Sequence, residues 1–129
     1  MEEWIAKGRV CSGMGRARDL GCPTANLVLE RKDGAPDPGV YVAYAAWDAE
    51  RAPALVCVHP PSSGGNVKVE THVLEVDVDL REKDMRLEAR AKLRDFVPWT
   101  TEAAMRKLIQ NDISDATEWF EARKYLKNI

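Results

Sequence analysis

Short hydrophobic runs and alternating hydrophobic and polar positions recur through most of the chain. These patterns predict a series of short β-strands. The predicted strands cover residues 4–10, 27–29, 40–47, 54–58, 68–80 and 85–93. Glycine and proline punctuate three stretches that we expect to be loops, 11–26, 31–38 and 60–66. Because the last two predicted strands alternate in the same way across a short turn, they are expected to form an antiparallel hairpin.

From Thr100 onward the hydrophobic period lengthens to three or four residues, which predicts a helix. Thr100 or Thr101 can cap its first turn, and we expect the helix to extend to about Lys124, with or without a break. Its hydrophobic stripe consists of Met105, Ile109, Ile113, Ala116 and Phe120. Short strands followed by one helix predict an α+β chain with a β-barrel or sandwich at its centre, because a parallel sheet needs helices between its strands.

Charge and composition argue against several classes of protein. The 129 residues, the length of one domain, include 19 Lys and Arg against 21 Asp and Glu, so a general nucleic-acid binder is not expected. No apolar run reaches the roughly 18 residues of a membrane span. The acidic N-terminus does not resemble a signal peptide, and we therefore expect a cytoplasmic protein. Three cysteines without a C-x-x-C pair argue against a disulfide framework or a cysteine-based zinc site.

Two polar elements near the N-terminus are candidate ligand sites. Gly13 and Gly15 can bring backbone N–H groups close to a phosphate, although Arg18 at the third position breaks the dinucleotide-binding pattern. Thr24 and Asn26, two residues apart before a strand, can present two oxygens on one side to Mg²⁺ or phosphate. Taken alone, each element is better explained as a turn, with local side-chain-to-backbone hydrogen bonds in the case of Thr24 and Asn26.

Glu70 is the candidate for proton transfer. A period of two places it on the hydrophobic face of strand 68–80, together with His72 and Leu74. A carboxylate there must be paired, hydrated or functional, and beside a cavity it can serve as a general base. The alternative is a strand-end glutamate that reaches solvent. His59 and His72 lack metal-ligand spacing, and we expect His72 to be a hydrogen-bonded core residue.

Taken in order, several segments resemble the riboflavin kinase (flavokinase) family, whose bacterial form also occurs as the C-terminal module of bifunctional FAD synthetases. The matching segments are Gly8-Arg9-Val10, Gly13-Met14-Gly15-Arg16, Leu20-Gly21-Cys22-Pro23-Thr24-Ala25-Asn26-Leu27, Gly39-Val40-Tyr41, Val69-Glu70-Thr71-His72-Val73-Leu74, Leu93-Arg94 and Ile109-Gln110-Asn111-Asp112-Ile113. The Pro-Thr-Ala-Asn element ahead of a Glu-Thr-His strand is the most specific of them.

The resemblance implies a mainly β fold, a six-stranded antiparallel Greek-key β-barrel with a C-terminal α-helix, built as one domain from residues 1–129. It implies a kinase that transfers the γ-phosphoryl group of ATP to the ribityl 5′-hydroxyl of riboflavin. FMN and ADP would be the products, and Mg²⁺ would be the metal cofactor. The family also suggests a monomer.

The resemblance further implies roles for individual residues. Glu70 would orient and deprotonate the ribityl hydroxyl, while Phe96 and Trp99 are the best-placed candidates for contact with the flavin ring. The remaining candidates would bind the nucleotide: Gly13, Gly15, Arg16, Thr24 and Asn26. Of these, Thr24 and Asn26 would also hold the metal.

Besides Cys22, the chain departs from the family pattern at segments 58–62 and 79–82 and in the loop 95–99. These departures affect the expected pocket for the nucleobase of ATP and the expected contacts with the flavin. They favour an alternative function, a non-catalytic flavin- or nucleotide-binding module derived from the same fold. The retained Glu70 favours the kinase, because a pure binder needs no base. Since the chain lacks an adenylyltransferase domain, FMN and not FAD is the expected product, although a domain of a longer bifunctional enzyme is a third possibility.

Overall fold

The computed structural model describes residues 3–11, 25–30, 36–74 and 79–127. Within these ranges the chain forms six strands and one helix. They are β1 (Trp4–Arg9), β2 (Ala25–Glu30), β3 (Gly39–Trp47), β4 (Glu50–Val58), β5 (Asn66–Val73), β6 (Asp84–Asp95) and α1 (Glu102–Lys127). The predicted strands and helix are all present, and most of their boundaries differ from the prediction by a few residues. The exception is strand 68–80: β5 ends at Val73, and residues 75–78 lie outside the described residues.

All six strands belong to one antiparallel sheet with the order β1-β6-β3-β4-β5-β2. An isolated bridge between Cys11 and Asn26 brings β2 back to the end of β1 and nearly closes the sheet into a barrel. Strands β3, β4 and β5 follow one another, and β6 returns to lie beside β3, which is the Greek-key arrangement. The predicted six-stranded Greek-key barrel is therefore confirmed.

The predicted hairpin between strands 68–80 and 85–93 is wrong. Strand β5 is occupied on one edge by β4 and on the other by β2, while β6 lies between β1 and β3. A strand has only two edges, so β5 and β6 cannot also pair with each other. The hairpin forms instead between β3 and β4, where Asp48 adopts a positive φ of 47° at the turn, a conformation that aspartate tolerates.

The period of two divides β5 between two hydrophobic layers. Val67, Val69 and Val73 point into the barrel and are almost fully buried. Glu70 and Leu74 share the opposite face, as expected, but that face lies outside the barrel, where Leu74 packs in a second hydrophobic cluster beneath the helix. Glu70 therefore lies on the outer face of the sheet and not in the barrel interior.

Helix α1 begins where the sequence predicted and continues past Lys124 without a break. The hydroxyl of Thr101 accepts a hydrogen bond of 3.1 Å from the backbone N–H of Ala104, so Thr101 is the N-cap. Ala116 and Phe120 pack one face of the helix against the outer surface of the barrel, over β3, β4 and β6. The described part of the chain contains no helix long and apolar enough to cross a membrane.

Candidate active site

One row of cross-strand neighbours runs over the outer surface of the barrel. Asn26 on β2 lies opposite Glu70 on β5, and Glu70 lies opposite Cys57 on β4. Cys57 lies opposite Val40 on β3, which in turn lies opposite Arg94 on β6. Directly opposite residues of antiparallel strands point to the same face of the sheet. The sheet therefore brings Asn26 and Glu70 together, although they are far apart in the chain.

The carboxylate of Glu70 is held by two basic side chains. His59 Nε2 lies 2.6 Å from Glu70 Oε1, and Lys68 Nζ lies 3.4 Å from the same oxygen. The glutamate side chain is 14% exposed, so its carboxylate is more shielded from water than its two partners. Both contacts are made to Oε1, and no side chain or backbone group of the described residues forms a hydrogen bond with Oε2. One carboxylate oxygen is thus anchored, and the other is left to accept a proton or a hydrogen bond.

The charge state of Glu70 follows from its surroundings. Burial on its own would raise its pKa, but the hydrogen bond with His59 and the positive charge of Lys68 outweigh burial and hold the pKa below its ordinary value. The carboxylate is therefore ionised at neutral pH. Because an ionised carboxylate can only accept, His59 Nε2 must carry the hydrogen and donate it to Glu70.

Asn26 places a buried amide beside this carboxylate. The residue is 3% exposed, and its Oδ1 has no hydrogen-bond partner in the described structure. An unpaired buried oxygen costs about 1–3 kcal/mol, so such an atom calls for an explanation. Amide oxygens are suitable ligands for Mg²⁺, which also accepts phosphate oxygens and water. The unpaired Asn26 Oδ1 is therefore compatible with a magnesium–nucleotide complex as its partner. The described residues contain no cluster of three or more His, Cys, Asp or Glu side chains that could hold a metal ion.

The aromatic candidates lie in the segment between β6 and α1. The ring of Phe96 packs against the ring of His59, with centroids 5.1 Å apart and planes inclined by 54°. The structure therefore brings Phe96 next to the His59–Glu70 pair. Trp99 lies further along the same segment and is 39% exposed. Trp119 and Phe120, consecutive residues of the helix, contact each other edge to face, and both belong to the hydrophobic cluster between the helix and the sheet.

A buried ion pair fixes the helix over the end of the row. Arg94 donates to both carboxylate oxygens of Asp112 on α1, at 2.7 Å each. The Asp112 side chain is only 6% exposed. Burial works against the charge of Arg94, but the hydrogen bonds to Asp112 prevail and raise the Arg94 pKa. This pair joins the middle of α1 to the end of β6.

Cys57 lies between Glu70 and Arg94 in the row, but its thiol is not reactive. Burial, followed by the negative charge of Glu70, raises the pKa of Cys57 to about 12. A thiol with such a pKa stays protonated at physiological pH, and only the thiolate is a good nucleophile. Cys57 therefore belongs to the structural framework of the site.

Four predicted ligand residues, Gly13, Gly15, Arg16 and Thr24, lie outside the described residues. The segment that contains them, 12–24, is flanked by Cys11 and Ala25. The backbone N–H of Cys11 donates to the carbonyl oxygen of Asn26 at 2.9 Å, so the two flanks meet next to Asn26. The roles of these four residues stay predictions.

Sequence reasoning missed two residues that contact Glu70. Lys68 could have been found, because it precedes Glu70 by one period of the strand and therefore shares its face. His59 offered no such local signal, since it follows β4 and reaches Glu70 only through the pairing of β4 with β5. The local pattern also did not indicate that Asp112 on the helix would pair with Arg94.

A family model described as Flavokinase, riboflavin kinase, matches residues 1–120. A bifunctional riboflavin kinase/FMN adenylyltransferase of Pseudomonas fluorescens is 32% identical over 112 residues, which are 84% of this chain and 36% of that protein. The protein of the same description from Escherichia coli K12 is 29% identical over 120 residues, which are 91% of this chain and 38% of that protein. The chain thus spans little more than a third of these curated relatives.

Two solved structures resemble the fold. A protein of Streptococcus pneumoniae described as a macrolide-efflux protein superposes with a TM-score of 0.80 and 23% identity, over 91% of this chain and 39% of that one. A riboflavin kinase of Trypanosoma brucei superposes with a TM-score of 0.65 and 16% identity, over 94% of this chain and 82% of that one. At these identities the likeness concerns the fold alone.

Proposed function

The chain belongs to the riboflavin kinase family, and we propose that it transfers the γ-phosphoryl group of ATP to the 5′-hydroxyl of riboflavin. FMN and ADP are the products. The observation that carries this proposal is the cross-strand pair of Glu70 and Asn26. It sets an ionised, partly buried carboxylate directly beside a buried amide oxygen that lacks a partner among the described residues. A proton acceptor and a ligand for a metal–phosphate complex are what this reaction needs at one place.

In the proposed reaction, Glu70 orients the ribityl hydroxyl through its Oε2 and accepts the hydroxyl proton. The oxygen–phosphorus bond to riboflavin forms as the bond between the γ-phosphorus and the β,γ-bridging oxygen of ATP breaks, and the electron pair leaves with ADP. Phosphoryl transfer depends mostly on in-line positioning and charge stabilisation, so a strongly basic carboxylate is not required. The depressed pKa of Glu70 is compatible with this role.

Asn26, together with Thr24 from the same motif, is proposed to hold Mg²⁺ and the phosphates of ATP. Bound there, the ion would neutralise phosphate charge, which lowers the barrier to transfer. The buried, unpaired Oδ1 of Asn26 supports this assignment. Gly13, Gly15 and Arg16 are proposed to cover the nucleotide, in the segment whose two flanks meet at Asn26.

Phe96 and Trp99 are proposed to contact the isoalloxazine ring of riboflavin. The packing of Phe96 on His59, one contact away from Glu70, supports Phe96 in particular. Trp99 offers an accessible aromatic surface on the same segment. A planar ligand is well bound by aromatic side chains with a few polar contacts at its edge. A single domain, a monomeric state and a cytoplasmic location remain predictions.

FMN formation from riboflavin, ATP and Mg²⁺, followed by chromatography, tests the proposal with the wild-type protein and Glu70→Gln in parallel. The amide keeps the shape of the side chain but cannot accept the proton. We expect FMN from the wild type and a rate reduced by at least about a hundredfold in the variant. Equal rates would remove Glu70 as the base. Binding of riboflavin by a wild type that forms no FMN would instead establish the binding-module alternative.

A further inference from the structure

His59 is fixed at three points around its ring and backbone. Its backbone N–H donates to the carbonyl oxygen of Lys68 at 2.9 Å, which continues the pairing of β4 with β5 by one residue. Its Nε2 lies 2.6 Å from Glu70 Oε1, and one side of the ring packs on Phe96. The His59 side chain is 28% exposed, so most of it is shielded from solvent.

This arrangement constrains the direction of the Glu70 carboxylate. A glutamate side chain rotates about three bonds, and ordering it costs free energy that a catalytic site must recover elsewhere. A short hydrogen bond to Oε1 from a ring that is itself immobilised restricts those rotations. Lys68 approaches the same oxygen from a longer distance, 3.4 Å, and its side chain is 43% exposed, so it constrains Glu70 less.

We propose that His59 is a positioning residue for Glu70: its Nε2–H holds Oε1, which keeps Oε2 in the orientation that accepts the hydroxyl proton. This inference rests on the proposed kinase activity. His59 transfers no proton and touches no reacting atom. Its effect is exerted through Glu70, in a reaction in which positioning contributes most of the rate enhancement.

Two substitutions separate the hydrogen bond of His59 from its packing. His59→Phe keeps an aromatic ring against Phe96 and removes the donor. His59→Gln places an amide N–H close to the position of Nε2 and removes the ring. His72→Phe serves as the matched control, because His72 is the other histidine of the chain and lies on the same face of β5 as Glu70. Thermal unfolding of every variant verifies that the fold is intact.

We expect His59→Phe to lower kcat for FMN formation by about tenfold to a hundredfold, because misplacing a catalytic group by about 1 Å has effects of that size. KM for riboflavin should stay within about twofold, as for an interaction made mainly in the transition state. His59→Gln should recover most of kcat, and His72→Phe should leave it within about twofold of the wild type. In a Glu70→Gln background, His59→Phe should have no further effect.

Three results would overturn the inference. The first is an unchanged kcat in a folded His59→Phe protein. The second is an equal loss in His59→Gln, which would assign the effect to the ring. The third is an equal loss in His72→Phe, which would assign it to a general disturbance of the strand. A wild-type protein that forms no FMN is a different failure, because it removes the kinase proposal and the role of His59 within it together.

The hydrogen bond itself can be observed without any turnover. In ¹⁵N-histidine spectra, His59 should show a hydrogen on Nε2, and its signals should shift in Glu70→Gln. A His59 protonated only on Nδ1 would contradict the proposed donor whether or not the protein is active.

Discussion

His59 donates a hydrogen bond of 2.6 Å to Glu70, although eleven positions separate the two residues in the chain. The contact exists because β4 and β5 are antiparallel, with Cys57 opposite Glu70 and the pairing extended to His59 and Lys68. A residue just beyond the end of one strand thereby reaches a residue inside the next. The base proposed for phosphoryl transfer is thus oriented by the loop that leaves β4, which is a segment where the chain departs from the family pattern.

Replacing Asn26 with alanine should abolish most of the activity and leave the stability of the protein nearly unchanged. Asn26→Ala eliminates a buried oxygen that has no partner in the described residues, so the lost packing is offset by the removal of an unsatisfied polar atom. We expect Tm of the ligand-free protein to change by no more than a few degrees, about 1 kcal/mol of unfolding free energy. FMN formation should fall by at least about a hundredfold, because a ligand for the metal–phosphate complex is lost.

Calorimetry and the FMN assay on the same preparation of Asn26→Ala decide this point. Added Mg²⁺–ATP should raise Tm of the wild type and should raise that of the variant much less. An active Asn26→Ala protein, or one stabilised by Mg²⁺–ATP as much as the wild type, would show that Asn26 does not bind the nucleotide complex.

The Arg94–Asp112 pair should be important for the attachment of α1. Asp112→Asn leaves the partly buried Arg94 without its charged partner, and we expect a loss of about 1.5–3 kcal/mol of unfolding free energy, as for a hydrogen bond to a charged group. Denaturant unfolding of Asp112→Asn, Arg94→Met and the double variant measures this cost. The double variant should be less destabilised than the sum of the two single variants, because it removes both charges. Strictly additive losses would indicate that the two residues act independently.

Cys57 should resist alkylation in the folded protein. Its pKa of about 12 keeps the thiol protonated at pH 8, where an ordinary cysteine is partly ionised and reacts. Exposed Cys11 should react first, and Cys57 should react only after unfolding. Mass spectrometry of iodoacetamide-treated protein, with Cys57→Ala to identify the peptide, distinguishes these cases. Rapid labelling of Cys57 in the native state would contradict a partly buried thiol that stays protonated.

The same pKa predicts how stability depends on alkaline pH. The folded-state pKa of Cys57 lies above the value of about 8.5 for an unfolded cysteine. The contribution of Cys57 to the unfolding free energy is therefore fully present below pH 8.5 and is lost as the pH rises toward 12. In this range the unfolded chain releases a proton that the folded chain retains. The difference in unfolding free energy between the wild type and Cys57→Ala should accordingly change in this window and remain constant between pH 6 and 8.

The local pattern of the sequence determined the elements of this protein and part of its site. Strand periodicity placed Glu70 and Leu74 on one face, and the capping residue Thr101 marked the start of the helix. These features depend on neighbours within a few positions, which is the range over which a period of two or 3.6 acts. The motif around Asn26 and Glu70 indicated the family for the same reason, since its residues can be compared position by position.

Tertiary structure alone decided which strands pair and which side chains complete the site. The hairpin predicted from adjacent strands failed because β5 bonds to β4 and β2, and the register of that sheet brings Asn26 and His59 to Glu70. Likewise, Arg94 meets Asp112 only when the helix packs across the barrel. Such contacts join distant positions whose separation carries no periodic signal. They form because the whole hydrophobic surface can be buried in one arrangement of the strands.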